Sequence, residues 1–116
     1  MLVEDEAHTR AVLSWLLEKC GADVTAIADA SAARETLAFG ARFDALVCDL
    51  SLPGDDGCAL LRSLRSSSLG ALPAMAVTAC VRQEDRERAF AAGFDAFLSK
   101  PVAPGAFIEA IAALAR

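Results

Sequence analysis

The chain has 116 residues, 55% of them hydrophobic and 23% charged, with a net charge of −5 at pH 7. That length fits one domain burying roughly two-thirds of its unfolded surface. The even spread of apolar residues excludes a disordered tail and a membrane span, and the acidic balance lacks the basic patch of a surface that binds nucleic acid directly.

No segment combines a basic start, an apolar run and a small-residue cleavage site, so a cytoplasmic location is the default expectation. The cysteines, Cys20, Cys48, Cys58 and Cys80, are far apart and form no CxxC pair. Neither zinc nor a disulfide framework is expected, and ordinary buried or half-buried thiols are.

Short β-type apolar runs alternate with segments of helical period. Met1 to Glu4 reads as a strand. Val12, Leu13, Leu16, Leu17 and Cys20 then recur at helical spacing until Gly21 supplies a stop. Ala22 to Ala28 reads as a second strand, and Ser31 is placed to cap a second helix ending near Gly40. Asp44 to Cys48 is apolar enough for a strand covered on both faces, which makes it the centre of the sheet. After the turn-rich Pro53-Gly54-Asp55-Asp56-Gly57, where the two aspartates read as loop or capping residues, Leu60, Leu61 and Leu64 define a third helix that runs out in Ser66-Ser67-Ser68. Pro73 to Val77 is a fourth strand. A charged helix from about Gln83 to Ala92 stops at Gly93, and Phe94 to Leu98 is a fifth strand. Pro104 opens a last helix with Phe107, Ile108, Ile111 and Leu114 inward. Five βα units in one domain, 1–116, with right-handed crossovers, give a three-layer α/β sandwich around a parallel sheet.

Open parallel sheets bind ligands beyond the carboxyl ends of their strands. At that edge stand Glu4-Asp5 after the first strand, Asp49 after the third, Thr78 after the fourth and Ser99-Lys100 after the fifth. Three carboxylates gathered there repel one another unless a cation sits among them, and an all-oxygen set beside one lysine suits Mg²⁺ better than a transition metal. A carboxylate, a divalent ion, a lysine and a hydroxyl are the parts that phosphoryl transfer uses.

These motifs, in this order, resemble the receiver domains of two-component response regulators. Leu2-Val3-Glu4-Asp5-Glu6 is similar to the family's acidic-pair motif, and Asp49-Leu50-Ser51-Leu52-Pro53 with Asp56-Gly57 to its phosphoacceptor loop. Val77-Thr78-Ala79 and Lys100-Pro101 complete the set, and the resemblance covers the whole chain. It implies a flavodoxin-like sheet of order 2-1-3-4-5 and a signalling switch rather than an enzyme that turns over a metabolite. Asp49 is then the phosphoacceptor and a metal ligand, Asp5 a second direct carboxylate ligand, Glu4 a ligand through a bound water and the Ser51 carbonyl a third protein ligand. Thr78 would donate its hydroxyl to a phosphoryl oxygen, and Lys100 would pair with Asp49 and then with the phosphoryl group. The Lys100–Pro101 bond resembles one that is cis in the family. Phe97 stands at the switch aromatic, with the small Ala79 leaving it room. The implied partners are a sensor histidine kinase or a histidine phosphotransfer protein as donor. The implied docking surface, for an unidentified output partner or a second copy, is the fourth helix, fifth strand and fifth helix.

Three other readings are set against this one. A phosphatase of the haloacid dehalogenase type carries a second acid two residues after its nucleophile, where this chain has Ser51. A degenerate receiver serving only as a docking module would be expected to have lost part of the acidic cluster or the lysine, and every part is kept here. A nucleotide or flavin site lacks its glycine-rich loop after the first strand.

Overall fold

The computed structural model describes residues 1–40, 42–52, 55–79 and 82–114. In chain order the elements are β1 (Leu2–Val3), α1 (Ala7–Lys19), β2 (Ala26–Ile27), α2 (Ala30–Ala38), β3 (Leu46–Cys48), β4 (Ser51–Leu52), β5 (Asp55–Asp56), α3 (Gly57–Arg65), β6 (Ala74–Thr78), α4 (Gln83–Ala92), β7 (Ala96–Ser99) and α5 (Pro104–Leu114). β2-β1-β3-β6-β7 form one sheet whose pairs are all parallel, which is the order 2-1-3-4-5 once the separate β4-β5 hairpin is set aside.

Side chains alternate across a strand, and here the alternation sorts the helices into layers. Val3, Leu46, Cys48, Ala74 and Ala76 face one side, under Ala33 and Leu37 of α2, Leu60, Leu61 and Leu64 of α3, and Ala89 and Ala92 of α4. Leu2, Val47, Met75 and Val77 face the other, under Leu13, Leu16 and Leu17 of α1 and Phe107 of α5. β3 and β6 are buried along their whole length because both faces are covered. No helix of the described residues is long and apolar enough to cross a membrane.

Several expectations need correction. The ladders are shorter than the apolar runs: the first strand keeps only Leu2–Val3 and the second only Ala26–Ile27. The second helix is capped by Asp29, whose carboxylate accepts the Ala32 N–H at 2.8 Å, so Ser31 lies inside the first turn. Val12, Cys20 and Ile108 are exposed, because α1 and α5 each bury a single stripe and these residues flank it. The segment after Asp49 contains the β4-β5 hairpin where only a turn was expected. Asp56 does cap α3, accepting the Ala59 N–H at 2.6 Å. Pro53, Gly54, Cys80 and the Asp55 side chain lie outside the described part of the chain.

The edge opposite the strand ends described below is closed by one residue the sequence did not mark. Arg65, in the last turn of α3, donates to the carbonyls of Gly93 (3.1 and 2.6 Å), Gly70 (2.9 Å) and Leu72, and pairs with Asp95 at 3.1 Å. Asp95 in turn accepts the Ala74 N–H at 2.9 Å. One guanidinium fork thus ties the end of α3 to the starts of β6 and β7. Arg65→Met strands these acceptors and is expected to lower stability by roughly 2–3 kcal/mol, read as a shifted urea midpoint at constant slope. Arg65→Lys should recover little of it, since an ammonium cannot span the same acceptors.

Candidate functional site

The register brings the acidic residues together. Val3 lies opposite Cys48, and the Asp49 N–H donates to the Val3 carbonyl at 3.0 Å, so Glu4-Asp5 and Asp49 leave the sheet side by side. Thr78 pairs with Ser99 at the ends of β6 and β7, and the Lys100 N–H donates to the Thr78 carbonyl at 2.9 Å. The Lys100–Pro101 peptide bond is cis.

Asp49 is 6% exposed. Its Oδ1 accepts the Ser51 N–H at 3.1 Å, and its Oδ2 lies 3.0 Å from Lys100 Nζ. Glu4 is 1% exposed, with Oε2 accepting the Glu6 N–H at 3.1 Å and Oε1 2.5 Å from the same ammonium. No other donor among the described residues reaches that Oε1. Asp5 is exposed, yet carboxylate oxygens of Glu4, Asp5 and Asp49 lie within 4.8 Å of one another.

The charges are held under tension. Burial raises the Glu4 carboxyl above its usual range, against the lowering effect of Lys100. Burial alone would lower the Lys100 ammonium, but hydrogen bonds to Glu4 and Asp49 outweigh it and raise its pKa. Lys100 therefore stays charged between Glu4 and Asp49, and its one charge leaves the three clustered carboxylates incompletely neutralised. Such a cluster of hard oxygen donors fits a divalent cation of the Mg²⁺ type. Burial pushes the Cys48 thiol up, and Cys58 likewise, so both stay protonated and are poor metal ligands.

Thr78 is fully buried at the same edge, and Ala79 beyond it is exposed. Because Ala76 pairs with Phe97, Thr78 and Phe97 occupy the same face of the sheet as diagonal neighbours. Phe97 is only 9% exposed, packed within the α2-α3-α4 layer, with the Arg86 guanidinium 5.0 Å from its ring centroid. Ser51 is exposed at the start of the hairpin, and its backbone N–H reaches Asp49.

Sequence reasoning missed the roles of four residues around the site. Glu6 is the N-cap of α1, accepting from His8 and Thr9 N–H, and hydrogen bonds from Thr9 and then His8 pull its carboxyl down to about 2. Its place in an acidic run hid this. Arg10 donates to the carbonyls of Glu4 and Asp5. Arg88 of α4 pairs with Asp56 at 3.3 Å. Gly57 lies directly against the Asp49 backbone. Glu6 and Gly57 stood in the motifs named from the sequence, without these roles, and Arg10 and Arg88 left no trace there.

The response regulator receiver domain model matches residues 1–112. The chain belongs to that family. Among relatives, an uncharacterized 14.6 kDa protein of Leptolyngbya boryana is 40% identical, over 90% of this chain and 79% of its own length. Protein PetR of Rhodobacter capsulatus is 35% identical over all of this chain, which spans 48% of PetR. The receiver domain of the sensor histidine kinase PA1611 of Pseudomonas aeruginosa PAO1 superposes with a TM-score of 0.83 at 34% identity, covering 97% of this chain and 90% of that one. That structure holds a magnesium ion coordinated in its active-site cleft. The receiver described here thus has the flavodoxin-like architecture of the family, and relatives whose names state a role, such as the transcriptional regulatory protein ResD of Bacillus subtilis at 33% identity over all of this chain and 47% of its own length, are regulators rather than metabolic enzymes.

Proposed function

We propose that this receiver accepts a phosphoryl group on Asp49 from a phosphohistidine of a sensor kinase or histidine phosphotransfer protein, in a Mg²⁺-dependent reaction. The observation that carries the reading is the setting of Asp49: a buried carboxylate held by the Ser51 N–H and Lys100, with two further acids within 4.8 Å.

Asp5 and Asp49, with the Ser51 carbonyl and with Glu4 through water, would hold Mg²⁺, which when bound neutralises charge on the phosphoryl oxygens. One Asp49 oxygen attacks phosphorus, and the new P–O bond forms as the donor's P–N bond breaks. The imidazole nitrogen keeps the electron pair and takes a proton from solvent. Lys100 is already aimed at Asp49 Oδ2 and follows the charge onto the transferred group. The Thr78 hydroxyl turns toward a phosphoryl oxygen and vacates space beside Ala79 and Phe97, which share its end of the sheet.

The surface of α4, β7 and α5 is the reading's output face, for an effector or a second copy. Phe97 is buried with the Arg86 guanidinium of α4 5.0 Å from its ring, so a change in the ring's packing is expected to be felt in α4. The chain spans about half the length of PetR, and the identity of any output module is part of the proposal. Direct nucleic-acid contact by this domain and membrane association are not part of it, and the setting is cytoplasmic.

Incubation with acetyl phosphate and Mg²⁺ tests the reading. One acid-stable, hydroxylamine-sensitive phosphoryl group should appear, map to Asp49 and vanish when the metal is chelated. Labelling that maps elsewhere, or that survives chelation unchanged, overturns it.

A further inference from the structure

Glu4 and Asp5 occupy a segment with little backbone support. The β1 ladder ends at Val3, the Glu4 N–H still donates to the Ile27 carbonyl at 2.9 Å, and α1 begins only at Ala7. The carbonyls of Glu4 and Asp5 therefore fall between sheet and helix. Arg10, in the first turn of α1, reaches back over the helix start, and its Nη1 donates to Glu4 O at 2.9 Å and to Asp5 O at 3.2 Å. No carboxylate of the described residues forms an ion pair with this guanidinium. The Asp5 carboxylate has no side-chain hydrogen bond of its own among the described residues, so the placement of its backbone fixes where it points.

We infer that Arg10 is a positioning residue for the metal site: by bridging the carbonyls of Glu4 and Asp5 it fixes the peptide between them and so holds Asp5 within ligand distance of Asp49. The inference rests on the proposed Mg²⁺ site. Its sign separates it from a field effect. A cation beside the site repels Mg²⁺, so an arginine acting only through its charge would tighten metal binding when removed. A positioning arginine weakens binding when removed, because ligands that lose an orienting partner hold metal less well.

The test is calorimetric titration of the whole chain with MgCl₂, for wild type, Arg10→Met and Arg10→Lys, with melting curves of the metal-free proteins and backbone amide shifts of Asp5 and Glu6. Arg10→Met is expected to bind Mg²⁺ roughly tenfold more weakly, the low end for loss of a ligand-orienting partner. The Asp5 and Glu6 amides should shift before any metal is added. Arg10→Lys keeps the charge and the donors on a shorter arm and should fall between the two. It carries the test if the methionine variant does not fold, and wild-type affinity in it then overturns the inference. Unchanged or tighter binding by a folded Arg10→Met overturns the role of Arg10 and leaves the metal site standing. A wild type that takes up no Mg²⁺ overturns both.

Discussion

Asp49→Asn is expected to abolish labelling by acetyl phosphate, with no residual slow phase, while the fold survives. The amide is isosteric, and its oxygen can still accept the Ser51 N–H that Asp49 Oδ1 accepts at 3.1 Å. Its NH₂ group replaces the Oδ2 that pairs with Lys100 at 3.0 Å, so two donors would face each other there. Lys100 retains Glu4 at 2.5 Å as a partner. Removing one of three clustered carboxylates also relieves repulsion, which offsets the lost ion pair. The near cancellation predicts a melting temperature close to wild type. The chemistry has no such cancellation, since an amide nitrogen bears no lone pair available to form the acyl phosphate. Mass spectrometry of intact protein and circular dichroism read the two halves separately. A labelled Asp49→Asn protein would move the phosphoacceptor to another residue, and an unfolded one would show that the lost ion pair outweighs the relieved repulsion.

The topology and the meeting of the candidate site residues were legible in the sequence for one physical reason. In a parallel sheet all strands end at one edge, so a residue just past an apolar run is placed in space by its position in sequence. That is why Glu4, Asp5, Asp49 and Lys100, from three distant segments, meet where the apolar runs stop. Strand limits were less legible, because apolar residues such as Val24 pack against the core without joining a ladder. Caps turn on which of several polar residues adopts the extended backbone: Asp29, at φ −150° and ψ 165°, takes the role that Ser31 was equally suited to by type. Tertiary arginines were not legible at all. Arg10, Arg65 and Arg88 occupy helical positions where a solvated charge is the ordinary expectation, and their acceptors are backbone carbonyls or carboxylates on other segments. Nothing in the local pattern of charge encodes such partners.

Gly57 shows how a turn-like glycine can be required by packing instead. It is the first residue of α3, its backbone conformation is open to any residue type, and its N–H donates to the Leu50 carbonyl at 2.9 Å. A Cβ on it would sit 2.3 Å from the Asp49 carbonyl oxygen and 3.1 Å from Cys48 Sγ. Both neighbours belong to the buried centre of the sheet, and the first is backbone, so neither can turn aside as a flexible side-chain end would. Gly57→Ala must therefore push the start of α3 away from Asp49. Overpacking of this kind costs about 2–3 kcal/mol, which for a domain of this size corresponds to a melting temperature lower by roughly 10–20 °C. Because the displaced contact is with the backbone of Asp49, the proposed phosphoacceptor, labelling of the folded fraction by acetyl phosphate should slow as well. Gly105→Ala supplies the contrast: that glycine lies in α5, and a methyl group on it would meet nothing within 4 Å. Alanine there should be neutral or stabilising by up to about 1 kcal/mol through its helix propensity. Equal melting temperatures and labelling rates for the two variants would show that α3 does not rest on the Asp49 backbone.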